Sequence, residues 1–591
     1  MRAFTALPRS LVLLLLIAAS AVAVPPPWEP AEQAVLTHPG SGHRGAVASE
    51  SRVCSQIGID LLVLGGNAVD AWVGTQLCVG VIGMYHSGIG GGGFALIRDG
   101  RGNYTVIDYR ETAPESAFTD MYRDNVAGSV FGGLAAGVPG ELRGLETTHR
   151  RFGVLPWKTV VQPAADVARD GFSVTEDLVR CMEHGIGSAG FNFLVEDPSW
   201  AEDFAPDGKL VKLGDIMTRK RYGETLQKIA EHGADVFYTG PMAEAMIKYV
   251  QEHNGTMALS DLATYNAIER EPISITYGDY TLHSSGAPSS GAVCLSTLKT
   301  MEGYAQDSSS DANLTLHRLD EAMRFAYGAH QALGDPAFVP ADVSALEAEM
   351  LNSSHAAAVR ARILDNSTQP VSHYDPARVY GPAGHGTSHV VAADGAGMAV
   401  SSTTTINLLF GCLLMVPATG VVLNNEMNDF SIPGVRNEFG YAPSVANYIR
   451  PRKRPLSSIT PVIVEKKSKK SSQDGDGASD SWELFASVGA AGGSRIISST
   501  TQVVWHMVEQ GASMREAIAA PRFHDQLMPN QAVFEWTFDN ATVASMAEKG
   551  HNVTWVRPGI SAVQGIRVDG ESGAFEAVGE TRQKNSAGLT L

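Results

Sequence analysis

Thr387 is the residue of this chain whose surroundings most favour nucleophilic chemistry. It lies in the stretch Gly384–His389, which reads Gly-His-Gly-Thr-Ser-His, and the apolar, strand-like run Val390–Ala393 follows. A threonine hydroxyl needs an adjacent base, and an N-terminal residue can use its own α-amine. That amine has a pKa of about 8, so much of it is neutral at working pH. We therefore interpret Thr387 as a nucleophile that becomes usable once the bond from Gly386 is cut.

Two other interpretations of the same stretch are a tight glycine turn into a strand and a metal site. His385 and His389 have the i, i+4 spacing that metal ligands use on a helix. The glycine between them and the strand-forming run after them argue against a helix. The glycine turn therefore stays open as an alternative, and a metal site is disfavoured.

Further motifs follow Thr387 in a defined order. They are Ser402-Thr403-Thr404-Thr405-Ile406-Asn407, the segment Leu423–Phe430 (LNNEMNDF), Pro455-Leu456-Ser457-Ser458, and Gly489-Ala490-Ala491-Gly492-Gly493. In this order and spacing the chain resembles the γ-glutamyltransferases, also called glutathione hydrolases. The resemblance extends from about Gly45 to the C-terminus, and separated motifs in the right order are far more specific than any one of them.

The resemblance implies an N-terminal-nucleophile hydrolase fold. This is an α/β architecture, an αββα sandwich in which two stacked sheets lie between helical layers. It also implies one precursor cut between Gly386 and Thr387. Residues 24–386 would form a large subunit and residues 387–591 a small one, and both would share one intertwined core.

The resemblance also assigns catalytic roles. The hydroxyl of Thr387 would attack the γ-carbonyl of a γ-glutamyl amide such as glutathione, with its α-amine as base and then as acid for the leaving amine. Thr405 would hold the Thr387 hydroxyl or amine, and the N–H groups at Gly492 and Gly493 would stabilise the oxyanion. The glutamyl group would then pass to water, to an amino acid or to a dipeptide. No metal or cofactor is implied.

The two charged ends of the glutamyl group would be bound separately. By itself, an arginine at the end of a strand, such as Arg110 after Tyr104–Tyr109, commonly forms a surface salt bridge. Its planar guanidinium also suits a carboxylate, and the resemblance gives it that role, with Glu111 orienting it. The α-carboxylate would be held by Arg110, Ser457 and Ser458, and the α-ammonium by Asn407, Glu426 and Asp429.

Two rival classes remain at this point. A related acylase acting on other amides would keep Thr387 and the glycines, but would not need Arg110, Ser457-Ser458 and Glu426-Asp429 together. An inactive binding protein would be free to lose Thr387 or Thr405, and the sequence has kept both.

Length and charge limit the possible partners. With 591 residues the chain is too long for one simple domain by the usual prior, and it can bury a large core. Its formal charge of -18 argues against nucleic acid or an anionic membrane surface as a partner.

The first residues have the pattern of a secretory signal. Arg2 and Arg9 precede the apolar run Leu11–Ile17, and small residues end in Ala21-Val22-Ala23. This A-x-A site favours cleavage after residue 23, and an uncleaved signal anchor is the alternative. We expect a secreted or extracellular protein, with a signal-anchored membrane form or a vacuolar form as alternatives. N-x-S/T sequons, which glycosylation requires, begin at Asn103, Asn254, Asn313, Asn352, Asn366, Asn540 and Asn552.

The five cysteines are Cys54, Cys78, Cys181, Cys294 and Cys412. An odd number leaves at least one unpaired, and none has metal-ligand spacing. By the resemblance, Cys54 and Cys78 match a bridged pair in many eukaryotic members. We expect the others to be buried thiols.

Periodicity predicts where these residues lie. Two helices are predicted between Ser49 and about Val81, separated by Gly65-Gly66. The glycine-rich stretch Ser87–Phe94 contains G-x-G-x-x-G, but a strand follows it, which favours a close backbone turn over a dinucleotide site. Residues 365–386 are predicted to form an exposed, mobile tail, and Lys466–Ser481 a solvated loop. After Thr387 the predicted strands are Ser388–Ala393, Met398–Thr403, Gly420–Leu423, Ile459–Val464 and Glu483–Val488, and the predicted helices are Ser494–Glu509 and Ala512–Ala519.

Overall fold

The structure, a computed structural model, describes residues 44–305, 311–375, 377, 379–380, 386–435, 442–468 and 481–591. The predicted signal segment, His385 and most of the Lys466–Ser481 loop lie outside the described residues. The strands are, in chain order, β1 (Gly45–Ser49), β2 (Gly92–Arg98), β3 (Tyr104–Asp108), β4 (Phe172–Ser173), β5 (Ile216–Met217), β6 (Ile268–Arg270), β7 (Pro272–Tyr277), β8 (Tyr280–Ser285), β9 (Val379–Tyr380), β10 (Gly386–Asp394), β11 (Ala399–Asn407), β12 (Ala442–Pro443), β13 (Val462–Lys467), β14 (Trp482–Ala491), β15 (Phe523–His524), β16 (Ala532–Glu535), β17 (Val553–Val556), β18 (Ala562–Val568), β19 (Phe575–Val578) and β20 (Ala587–Thr590).

The helices are, in chain order, α1 (Arg52–Val63), α2 (Ala68–Ile82), α3 (Glu141–Phe152), α4 (Trp157–Asp170), α5 (Glu176–Ala189), α6 (Phe193–Glu196), α7 (Pro198–Phe204), α8 (Lys220–His232), α9 (Asp235–Tyr238), α10 (Gly240–Glu252), α11 (Leu259–Thr264), α12 (Gly291–Glu302), α13 (Ala312–His330), α14 (Pro340–Met350), α15 (Ser353–Arg360), α16 (Val371–Tyr374), α17 (Arg495–Gln510), α18 (Met514–Ala519) and α19 (Asn540–Glu548). Within the described ranges, none of them has the length and apolar character needed to cross a membrane.

Two large antiparallel sheets organise the fold. One has seven strands in the order β20-β1-β10-β11-β2-β3-β6, and the other has six in the order β19-β18-β14-β13-β8-β7. Each sheet mixes strands that precede Thr387 with strands that follow it. Strand β10, for example, is hydrogen-bonded to β1 on one side and to β11 on the other. Both sheets therefore contain strands from the two sides of the Gly386–Thr387 bond.

The sheets stack face to face and helices cover their outer faces. Strands β10 and β11 pack against β14 and β18, and an apolar cluster that includes Leu96, Val391 and Ile463 lies between the sheets. Helices α1 and α2 cover the first sheet, while α12 and α17 cover the second. Each large apolar side chain buried in such layers contributes about 1.5–3 kcal/mol. The predicted αββα sandwich is confirmed.

The start of the chain shows how local signals place the first helices. Gly65 has φ +91°, a conformation that favours glycine, and the chain leaves α1 there. Asn67 then caps α2, since its side chain accepts from the N–H of Asp70 and the Asp70 carboxylate accepts from the Asn67 N–H. Both helices were predicted, but α1 begins at Arg52, because Gly45–Ser49 are used as strand β1.

A disulfide joins these two helices, as predicted, between Cys54 and Cys78. The other cysteines are buried free thiols. Replacing Cys54 and Cys78 together with alanine should lower the free energy of unfolding by about 2–4 kcal/mol, because the unfolded chain loses a constraint. Denaturant titration measures this loss. The variant Cys412→Ala removes a buried thiol without a bridge and serves as the control; an equal loss in both would contradict the prediction.

Two predictions about elements were wrong. Gly420–Leu423 does not form a strand: the Val416 N–H donates to the Val421 carbonyl and the Val416 carbonyl accepts from Gly420, so the backbone closes a tight turn with an isolated bridge at Val422. The segment after residue 365 is not wholly an exposed tail. It contains α16, whose Tyr374 is buried and donates from its hydroxyl to Glu321.

Candidate active site

Thr387 lies at the start of a central strand, at an irregularity in its pairing. Gly386 pairs with Asn407 and Ser388 pairs with Thr404, so one residue of β10 opposes two of β11. Such bulges redirect side chains and occur often beside active sites. Thr387 keeps 7% of its surface exposed, whereas Ser388 is fully buried. Thr387 therefore keeps a small exposed surface beside a fully buried neighbour.

Thr405 contacts the bond that is predicted to be cut. Its hydroxyl donates to the carbonyl oxygen of Gly386 and accepts from the N–H of Asn407 at 2.7 Å. The resemblance places this hydroxyl on Thr387 itself. In the continuous chain it instead polarises the carbonyl that Thr387 would attack.

Gly386 fits a space that no other residue could occupy. A Cβ built there would lie 2.6 Å from the carbonyl oxygen of Asn407 and 3.2 Å from the Cβ of His86. The loop that carries His86 is itself fixed, because its carbonyl accepts from Ile406 and its Nε2 lies 2.7 Å from Glu50. The glycine thus lets two backbones approach closely beside Thr387.

Gly492 and Gly493 connect β14 to the first turn of α17. Their φ values of +128° and +62° lie in the region that favours glycine. Within the part of the chain that the structure describes, neither backbone N–H donates a hydrogen bond to another residue. Free donors beside a helix N-terminus can stabilise a developing negative charge.

Arg110 lies at the centre of a buried cluster of charges. Its Nη2 is 2.5 Å from Asp429 and its Nη1 forms an ion pair with Glu426. The same guanidinium donates at 3.4 Å to the carbonyls of Pro455 and Leu456. With 1% of its side chain exposed, it is held from several segments at once.

The cluster contains more acid than base. Glu111 is fully buried, 3.8 Å from Arg110, and neither of its oxygens accepts a hydrogen bond from any described residue. Burial raises the pKa of Glu111 to about 8 and raises that of Glu426 well above its usual range, while the nearby arginine opposes both shifts. A site with this excess of carboxylates is suited to receive another cation, such as an ammonium group.

The remaining predicted residues lie beside this cluster. Asn407 has φ +71° and donates from its side chain to the carbonyl of Asn425 at 3.1 Å. Ser457 is buried and its hydroxyl accepts from the Ile459 N–H at 3.2 Å, which leaves its own proton free to donate. Ser458 is half-buried next to it.

Sequence reasoning missed Asn447, which joins two of the predicted motifs. Its side chain donates to the carbonyl of Asp429 at 2.7 Å and accepts from the N–H of Leu456 at 2.9 Å. No local pattern marks this asparagine, because its role depends on the contact between distant segments.

Two stacked sheets between helical layers, with a threonine at the start of a central strand, are the arrangement of the N-terminal-nucleophile hydrolases. Cephalosporin acylase from Bacillus halodurans has this fold, with a TM-score of 0.80 over 96% of this chain and 100% of the acylase at 24% identity. That likeness concerns the fold alone. The family model described as Gamma-glutamyltranspeptidase matches residues 54–590, and the chain belongs to that family.

Two curated relatives are similar to this chain over nearly its whole length. The glutathione hydrolase proenzyme of Arthroderma benhamiae is 49% identical over 562 residues, which cover 93% of both chains. The glutathione hydrolase of Aspergillus flavus is 44% identical over 547 residues, covering 92% of this chain and 89% of the relative.

Proposed function

We propose that this protein is a self-processing γ-glutamyltransferase. It cleaves the γ-glutamyl amide bond of glutathione and its conjugates. It then passes the glutamyl group to water or to amino-acid and dipeptide acceptors. The observation that carries the proposal is the position of Thr387 together with a buried cluster in which Arg110 meets Glu426 and Asp429. Membership of the family and the names of the two curated relatives support it.

Maturation begins in the uncut chain. The Thr387 hydroxyl attacks the Gly386 carbonyl, the Thr387 nitrogen leaves as an amine, and water opens the resulting ester. Thr405 donates to the carbonyl oxygen that gains negative charge in this step. The products are the large subunit, residues 24–386, and the small subunit, residues 387–591.

Catalysis uses the terminus that maturation creates. The α-amine of Thr387 takes the proton of its own hydroxyl, and that oxygen attacks the γ-carbonyl of the donor. The N–H groups of Gly492 and Gly493 stabilise the oxyanion. The amine then protonates the leaving group, and water or an acceptor amine releases the glutamyl group from the threonine.

Recognition uses opposite charges at the two ends of the glutamyl group. Arg110 and the hydroxyls of Ser457 and Ser458 bind the α-carboxylate. Glu426 and Asp429, with the Asn407 side chain, bind the α-ammonium, which supplies the cation that the acidic cluster lacks. Substrate binding therefore exchanges part of the internal ion pairing of Arg110 for pairing with the substrate.

A test of this function compares two chromogenic donors. A γ-glutamyl anilide carries both charged groups, whereas a glutaryl anilide lacks the ammonium. A γ-glutamyltransferase should cleave the first with a much higher kcat/KM. An acylase acting on other amides, which shares the fold, would cleave the glutaryl donor at least as well, and that outcome would replace the proposal.

Thr405→Ala should slow maturation about a hundredfold, since loss of one oxyanion donor costs a factor of about 10²–10³. Thr405→Ser keeps the hydroxyl and should mature at close to the normal rate. The measurement is the time course of the uncut band on a denaturing gel. If the alanine variant is cleaved as fast as wild type, the hydrogen bond from Thr405 to the Gly386 carbonyl has no part in maturation.

We also propose passage through the secretory pathway. The N-terminal signal pattern supports this, and all the sequon asparagines except Asn313 are exposed. A secreted, glycosylated large subunit beginning at residue 24 is expected. N-terminal sequencing and a gel shift after enzymatic removal of N-glycans test it, and a retained signal segment would favour the anchored form instead.

A further inference from the structure

A hydrogen-bonded chain lies behind the serines proposed to bind the α-carboxylate. His330, the last residue of α13, contacts the Ser290 hydroxyl through Nε2 at 2.8 Å. The same hydroxyl lies 2.5 Å from the main-chain carbonyl oxygen of Ser457. Ser290 is fully buried, Ser457 is 4% exposed and His330 is 9% exposed. These hydrogen bonds therefore connect helix α13 to the peptide that joins Ser457 and Ser458.

The donor of each of these two hydrogen bonds follows from the chemistry of the groups. A carbonyl oxygen only accepts, so the single proton of the Ser290 hydroxyl is used on Ser457. The hydroxyl oxygen must then accept from His330, which places a proton on Nε2. Burial lowers the pKa of His330 to about 4, so the imidazole is neutral at working pH and its Nδ1 is unprotonated.

Other bonds fix the same segment from two sides. The Ser457 N–H donates to the Pro288 carbonyl at 2.8 Å, and the Ser290 N–H donates to Ile459 at 2.9 Å. On the opposite side, Arg110 donates to carbonyls that immediately precede Ser457. A rotation of the peptide after Ser457 would therefore move both serine side chains and disturb the groups that hold Arg110.

We infer that His330 and Ser290 are positioning residues of the α-carboxylate subsite. They hold the Ser457 carbonyl so that the hydroxyls of Ser457 and Ser458 point at the carboxylate of the γ-glutamyl donor. Neither residue touches the substrate. The inference rests on the proposed function and deepens it, since it assigns donor specificity to residues of the large-subunit segment.

The experiment compares Ser290→Ala with Ser289→Ala. Ser289 is equally buried and lies in the same loop, but its hydroxyl bonds to the Ile459 carbonyl at 2.6 Å and to Ser285 at 2.5 Å, so it contacts the peptide after Ile459 and not the peptide after Ser457. Each variant is assayed with γ-glutamyl 4-nitroanilide and with 4-aminobutyryl 4-nitroanilide, which lacks only the α-carboxylate. Assays use protein whose small subunit begins at Thr387.

Ser290→Ala should raise KM for the γ-glutamyl donor about tenfold, the factor expected for one hydrogen bond, with little change in kcat. Its kcat/KM for the 4-aminobutyryl donor should stay at the wild-type value. Ser289→Ala should leave the ratio between the two donors unchanged. If turnover of the second donor is too slow to follow, inhibition constants for L-glutamate and 4-aminobutyrate give the same ratio.

His330 gives an independent test. His330→Leu should reproduce the loss of discrimination seen with Ser290→Ala, whereas His330→Gln, whose amide can still donate to Ser290, should restore most of it. Melting temperatures of all variants separate this effect from general destabilisation.

The outcomes distinguish the inference from the function on which it rests. Equal losses on both donors in Ser290→Ala, or an unchanged donor ratio in His330→Leu, would overturn the positioning role alone. A wild-type enzyme that does not prefer the γ-glutamyl donor would overturn the carboxylate subsite, and the inference with it.

Discussion

Thr387→Ala is expected to remain a single uncut chain with no γ-glutamyltransferase activity. The variant lacks the hydroxyl that attacks Gly386 and the oxygen that would carry the glutamyl group. Loss of a nucleophile of this kind reduces turnover by about 10⁴-fold or more. Thr387→Ser keeps a hydroxyl but loses the methyl group that fixes χ1, so it should mature slowly and keep reduced activity.

A denaturing gel with N-terminal sequencing of the smaller band measures both effects. Ser388→Ala is the matched control, because Ser388 is the next residue and its buried hydroxyl bonds, among the described residues, to Ser87 alone at 3.2 Å. It should still be cut before Thr387. A wild-type band that begins elsewhere, or normal hydrolysis by Thr387→Ala, would show that the proposed mechanism is wrong.

Arg110→Lys should raise KM for γ-glutamyl donors about 10–100-fold while kcat changes much less. Lysine keeps the charge but cannot reproduce the planar contacts that join Asp429, Glu426 and the two backbone carbonyls. One charge-assisted hydrogen bond contributes about 1.5–3 kcal/mol, and each 1.4 kcal/mol is about tenfold in affinity. A contact made in both ground and transition states appears mainly in KM.

Arg98→Lys is the control for a buried arginine outside the site. Arg98 ends strand β2 and pairs with Glu465 at 2.8 Å. It should change the melting temperature without changing KM. Wild-type kinetics in Arg110→Lys, at wild-type stability, would remove Arg110 from the substrate site.

The sequence was sufficient to predict the parts of the candidate site that lie in contiguous motifs. The Gly386–Thr387 pair, the Arg110 motif and the glycines at 492 and 493 are contiguous patterns, and the structure places them where a strand begins, a strand ends and a helix starts. The helix pair around Gly65 was also predictable, because capping and glycine signals act over a few residues.

Contacts between distant segments could not be predicted from the sequence. The Thr405 hydroxyl reaches Gly386 because of the pairing register of β10 and β11, which no motif fixes. The ion pairs of Arg110 with Glu426 and Asp429 join segments more than three hundred residues apart. Gly420–Leu423 was wrongly predicted as a strand. Its backbone groups form hydrogen bonds within a local turn instead of with a neighbouring strand of a sheet.

Because the strands interleave, the proposed cut would change whether unfolding of this protein can be reversed. Both sheets draw strands from the two sides of the Gly386–Thr387 bond, and Thr405 reaches the Gly386 carbonyl through the pairing of β10 with β11. An uncut chain can unfold and refold alone, in a step that does not depend on concentration. After cutting, the same unfolding releases two fragments, and recovery requires a bimolecular encounter of chains with unpaired strand edges. Maturation thus converts a reversible fold into one whose lifetime is set by its unfolding rate, and dilution alone should make denaturation of the mature enzyme irreversible.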